Sequence, residues 1–112
     1  MPSLTVYVLR MSEWATIGPV EGRAELDAML IGDLEIALAR LDDGTWVAFD
    51  NSCTHEECPL AEGDLEGDQI ICHCHSSAFD VHTGEVIEGP AEDPLSVYPV
   101  RVENGELQVE VP

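Results

Sequence analysis

All four cysteines and three of the four histidines of this chain lie between positions 53 and 75. They form two short groups, Cys53-Thr54-His55 with Cys58 close behind, and Cys72-His73-Cys74-His75. Two such groups, each expected in a turn between strands, are a metal-site pattern. Disulfides alone would leave the company of the histidines unexplained. Cys-x-His, sixteen intervening residues and Cys-x-x-His offer two thiolates and two imidazoles, Cys53, His55, Cys72 and His75. Zinc accepts that set, and so does a [2Fe–2S] cluster in which two histidines replace two cysteines on one iron. The spacing favours the cluster. A tetrahedral zinc needs all four ligands on one ion, whereas a binuclear centre takes one ligand from each group on each iron. Two ferric ions, two sulfides, two thiolates and two neutral imidazoles sum to zero charge when oxidised, so an electron is added more easily than to an all-cysteine cluster.

Short elements must hold these groups. Stretches rich in β-branched or alternating apolar residues recur at 5–9, 23–29, 34–41, 46–49, 69–72, 78–81, 97–102 and 107–111. Turn signals separate them: Asp42-Asp43-Gly44, Glu66-Gly67-Asp68, Thr83-Gly84 and Asn104-Gly105. Residues 24–31 would also suit a turn or two of helix, but the strand-rich neighbourhood favours a strand. The pattern predicts an all-β sandwich or barrel. At 112 residues, with no repeats and no linker, the chain reads as a single domain, 1–112.

Composition narrows the function classes. Twenty-three acidic residues stand against four basic ones, all arginine, for a net charge of −19. Such a chain repels phosphate backbones and anionic membranes, so neither nucleic acid nor membrane is an expected partner. The charge suits steering toward proteins with basic docking faces, and equally suits solubility or a salty cytoplasm. No apolar run approaches the roughly 18 residues of a membrane helix. The N-terminus lacks a basic segment followed by an apolar core, so the expectation is a cytoplasmic, mobile monomer.

Residues 33–112 resemble the Rieske domain, through Cys53-Thr54-His55, Cys72-His73-Cys74-His75, Phe79-Asp80-Val81-His82-Thr83-Gly84-Glu85, Gly89-Pro90-Ala91, Pro94-Leu95 and Val97-Tyr98-Pro99-Val100. Length and lack of an anchor make the chain most similar to the ferredoxin components of bacterial aromatic-ring dioxygenases. The resemblance implies a β-sandwich base with a small cluster-binding subdomain, approximately 51–80, inserted in it. It implies Cys53 and Cys72 on a buried iron, His55 and His75 on an outer iron, and a covering loop at Gly89-Pro90-Ala91. It also implies one-electron shuttling from a flavoprotein reductase to a terminal ring-hydroxylating oxygenase in aromatic catabolism, with no substrate of its own and hence no enzymatic activity. The alternatives are the Rieske small subunit of another oxidoreductase, such as an arsenite-oxidase-like complex, and a zinc-stabilised binding module.

Two departures from the dioxygenase ferredoxins stand out. Cys58 and Cys74 occupy the positions of a disulfide in respiratory Rieske proteins, and the resemblance implies a Cys58–Cys74 bridge here. Ser76-Ser77 replaces the usual Gly-Gly. Ser77 aligns with the respiratory serine whose hydroxyl donates to a cluster sulfide, while Phe79 replaces a tyrosine that makes a second such bond. An intermediate potential within the family range of roughly −150 to +300 mV follows. Among the neighbours, His73 is expected to be a spectator, His82 a solvated turn residue and Trp46 a core residue. Trp14 suits docking or electron tunnelling. Glu56 and Glu57 follow His55 without any nucleophile that would make them an acid–base pair.

Overall fold

The computed structural model describes residues 13–55 and 57–112; the apolar run at 5–9 and Glu56 lie outside the described residues. The chain is almost entirely extended. Its strands are β1 (Glu13–Pro19), β2 (Leu26–Ile31), β3 (Leu34–Arg40), β4 (Trp46–Asp50), β5 (Asp64–Glu66), β6 (Gln69–Ile71), β7 (Ala78–Asp80), β8 (Val86–Glu88), β9 (Val97–Tyr98), β10 (Val100–Glu103) and β11 (Glu106–Val111), with a short 3-10 turn at Leu60–Glu62. They form three antiparallel sheets, ordered β1-β11-β10, β2-β3-β4-β9 and β5-β6-β7-β8. No helix among the described residues is long and apolar enough to cross a membrane.

The second sheet is the middle layer, and the alternation of side chains along β3 shows why. Ile36 and Leu38 point to one face, where they pack with Ala48 of β4 and with Leu107 and Val109 of the first sheet. Ala37 and Ala39 point to the other, into a cluster with Val47, Phe49, Leu60, Ile70, Phe79 and Val81. Because successive strand residues face opposite ways, a strand covered on both sides must be apolar throughout. Residues 36–39 are indeed buried without interruption.

Turn chemistry sets the registers. The β10–β11 hairpin closes at Asn104 and Gly105, whose φ angles of 53° and 79° give the two consecutive left-handed residues of a type I′ turn. The run 97–102 divides at Pro99, which lacks the N–H a ladder requires: β9 pairs with β4 and β10 with β11. Strand β1 was not among the expected strands. It pairs with β11 and shifts register between Thr16 and Gly18.

The third sheet lies within the excursion 51–96 that separates β4 from β9. Asn51 roots that excursion. Its backbone N–H donates to the Glu35 carbonyl at 2.9 Å, its carbonyl accepts from Leu60 at 2.7 Å, and its buried Oδ1 accepts from the Ala61 N–H at 2.8 Å.

Candidate metal centre

Both Cys/His groups sit on loops with the same backbone wiring. In the first, the Cys53 N–H donates to the Cys58 carbonyl at 2.9 Å and the Glu57 N–H to the Cys53 carbonyl at 2.8 Å. In the second, the Cys72 N–H donates to the Ser77 carbonyl at 2.8 Å and the Ser76 N–H to the Cys72 carbonyl at 2.9 Å. Each loop turns back through one left-handed residue that is not glycine, Glu57 at φ 59° and Ser76 at φ 64°. A leading cysteine is thereby fixed at the mouth of each loop, with the histidine farther out.

The two loops sort the four residues by type. Cys53 and Cys72 are free thiols, each only 1% exposed, within the same apolar cluster as Leu60, Phe79, Ala91 and Leu95. His55 and His75 are exposed, with ring centroids 5.4 Å apart and planes nearly perpendicular. Burial pushes the Cys72 thiol above its ordinary value, and the adjacent Cys53 sulfur adds to the rise. The backbone N–H groups of Cys74 and His75 oppose it by donating to the Cys72 sulfur. Those donors stabilise the thiolate that metal ligation requires. Inner thiols with amide donors and outer imidazoles fit the charge distribution of a [2Fe–2S] cluster with mixed ligands.

Cys58 and Cys74 are joined in a disulfide that links the two loops across 16 residues. Their sulfurs and that of Cys72 lie within 4.8 Å of one another. The bonded pair is unavailable as ligands, so this trio is not a second metal site.

A third segment, following β8, closes over the loops. The Gly89–Pro90 peptide is cis, and Pro90 itself is exposed. Ala91 donates its N–H to the fully buried Ser77 Oγ at 2.9 Å, and Thr54 Oγ1 donates to the Asp93 carbonyl at 2.7 Å. One bond ties the segment to each loop. Its far end is held at Gly84, whose carbonyl accepts from the Leu95 N–H at 2.8 Å and where a Cβ would collide with the Leu95 carbonyl. The Thr54 and Ala91 links were not evident in the sequence, because hydroxyl partners 39 and 14 residues away leave no local pattern.

The remaining candidates stand aside from this site. His82 is exposed in its turn, with Nε2 3.6 Å from Asp68. His73 is exposed, with Nε2 3.9 Å from the disulfide sulfur of Cys74. Trp46 is half-buried against the Ile36–Leu38 cluster. Trp14 lies under the Arg101 guanidinium, 4.1 Å from the ring centroid, on the sheet formed by β1, β11 and β10.

Fold and site together describe an iron–sulfur domain of the all-β class, and comparison with known proteins makes the assignment specific. The Rieske [2Fe–2S] domain matches residues 14–99. The chain is 34% identical over 95 residues to the ferredoxin subunit of 3-phenylpropionate/cinnamic acid dioxygenase from Shigella flexneri serotype 5b (strain 8401), covering 84% of this chain and 90% of that one. Among solved structures it resembles the Sphingomonas yanoikuyae B1 ferredoxin, with a TM-score of 0.81, 28% identity, and 89% and 100% of the two chains covered. It also resembles a chain in the complex of reduced oxygenase and oxidised ferredoxin in carbazole 1,9a-dioxygenase, with a TM-score of 0.78, 32% identity, and 85% and 99% covered. The chain belongs to the Rieske [2Fe–2S] domain family.

Proposed function

We propose that this chain is a one-electron carrier that docks transiently with a reductase and with a terminal ring-hydroxylating oxygenase, and catalyses no reaction of its own. The observation that carries this reading is the sorting of side chains at the site, with two buried thiols inward and two exposed imidazoles outward. In it, Cys53 and Cys72 hold the inner iron of a [2Fe–2S] cluster, and His55 and His75 hold the outer one. When bound, the cluster supplies a centre that takes up and gives back a single electron.

The chain's own groups would do the rest. The Cys74 and His75 amides steady the Cys72 thiolate, and Leu60, Phe79, Ala91 and Leu95 keep water from the inner side. Ser77 gives its oxygen to Ala91, which leaves the hydroxyl proton to donate elsewhere in the site. His55 and His75 give partners an edge to approach. No lysine or arginine occurs between Arg40 and Arg101, so the whole excursion bearing the site is acidic. That field favours partners with basic docking faces. The ferredoxin subunits named above support the choice of an oxygenase system as the destination.

The test is direct. Purified protein should be brown and contain two irons and two sulfides per chain, and its reduced form should show the rhombic electron-spin signal of mixed nitrogen and sulfur ligation. A flavoprotein reductase with NADH should bleach it, and a ring-hydroxylating oxygenase should restore the colour. A colourless protein carrying one zinc would refute the reading.

A further inference from the structure

Four sulfurs converge between the two loops. Cys72 is a free, buried thiol whose sulfur lies within 4.8 Å of both sulfurs of the Cys58–Cys74 disulfide, and Cys53, the second free thiol, is its immediate neighbour. A thiol beside a disulfide exchanges with it through attack by its thiolate, at a rate set by the thiolate fraction, access and proximity; burial of Cys72 slows the step and the short distance to the disulfide favours it. Here the attacking group is already delivered to its target. Ligation to iron would hold the same sulfur out of reach of that chemistry.

We propose that cluster occupancy gates a thiol–disulfide exchange: in the cluster-free chain Cys72 attacks Cys58, converting the Cys58–Cys74 bridge to Cys58–Cys72. As the Cys72–Cys58 bond forms, the Cys58–Cys74 bond breaks. Cys74 leaves as a thiolate and takes up the proton given up by Cys72. One disulfide and two thiols exist before and after, so no oxidant or reductant is consumed. Attack at Cys58 is favoured over Cys74 because Cys74 lies two residues from Cys72 on the same loop, whereas Cys58 lies on the facing one. The product has lost a ligand and cannot take up a cluster until Cys58 is attacked again, by the Cys74 thiolate or by an external thiol, and Cys72 is released. The disulfide that links the loops therefore also limits how long the empty site stays competent. This inference rests on Cys72 being a ligand, which iron and sulfide analysis of the starting protein decides separately.

The experiment begins with cluster-loaded protein stripped in anaerobic acid, where thiols stay protonated and sulfide escapes. The desalted chain is returned to neutral pH without reductant, sampled over time, alkylated and mapped by mass spectrometry. The Cys58–Cys74 peptide should be lost and the Cys58–Cys72 peptide should replace it, with alkylation moving from Cys72 to Cys74 and two thiols remaining throughout. Cys53→Ser, which lacks a ligand and so never closes the gate, should already carry the Cys58–Cys72 bridge when purified, and Cys72→Ser should keep the original bridge. Persistence of Cys58–Cys74 in the stripped chain, unselective pairing that includes Cys53–Cys58, or exchange in Cys72→Ser would overturn the proposal.

Discussion

Replacing Ser77 by alanine removes one oxygen with two separable duties. Ser77 Oγ accepts the Ala91 N–H at 2.9 Å in a fully buried position. Without it that N–H is left without a partner, which costs about 1–3 kcal/mol of stability. A hydroxyl that accepts there keeps its own proton for donation, and the cluster is the electron-rich group expected beside it. A hydrogen bond to a charged acceptor contributes about 1.5–3 kcal/mol, and it favours the reduced, more negative state. If about 1.4 kcal/mol of that is differential between the two oxidation states, the potential of Ser77→Ala falls by about 60 mV, one decade for a one-electron couple. Film voltammetry reads the second quantity and guanidinium denaturation of the oxidised protein reads the first. A variant that loses stability while keeping the wild-type potential would show that Ser77 only fastens the 89–95 segment, and the donor argument would fail.

Three further outcomes are expected. The Cys58→Ser, Cys74→Ser double variant should lose about 3 kcal/mol in denaturation, the chain-entropy value for a loop of this size; an unchanged midpoint would count against it. With a net charge of −19, thermal stability should climb as added salt shortens the screening length from about 10 Å at 0.1 M to about 3 Å at 1 M. A melting temperature indifferent to salt would show that carboxylate repulsion does not limit stability. The Asp50 carboxyl is raised above its ordinary 3.8, first by burial and then by the charge of Glu35. Its folded-state proton is therefore held more tightly than in the unfolded chain, so the associated stability is complete below pH 3.8 and lost as pH rises through the folded value. Asp50→Asn should accordingly raise the melting temperature at pH 7, with the gain shrinking toward pH 4; a gain that is the same at both would refute the assignment.

Long, doubly covered strands were legible in the sequence. Ile36–Ala39 is an unbroken apolar run, and β2, β4, β6, β7 and β11 fall near the stretches their β-branched and apolar residues mark. Three elements were not. Strands β5 (Asp-Leu-Glu) and β8 (Val-Ile-Glu) are three residues each, hemmed in by acidic residues and glycines and without the apolar continuation that marks β6 and β7, and β1 carries a Gly-Pro end that reads as a turn. Within the site, the types and spacing of Cys53, His55, Cys72 and His75 were readable. Their sorting into an inner and an outer pair was implied only by likeness to other proteins, because it depends on two loops meeting face to face. The turns at Glu57 and Ser76 were equally hidden, since each takes a positive φ without glycine. Ser77 was picked out by likeness to other proteins, but its partner Ala91 emerges only when the segment after β8 folds back.

Because β3 sends Ile36 and Leu38 into one core and Ala37 and Ala39 into the other, the base and the site-bearing excursion share a single wall. Neither can open fully without stripping cover from that strand. The amide hydrogens of β3 and β4 should then exchange with solvent only through global unfolding, whereas those of the loops at 53–58 and 72–77 have a local route as well. An electron carrier assembled in this way can let its cluster loops breathe for docking while its overall stability is set by a strand buried on both faces.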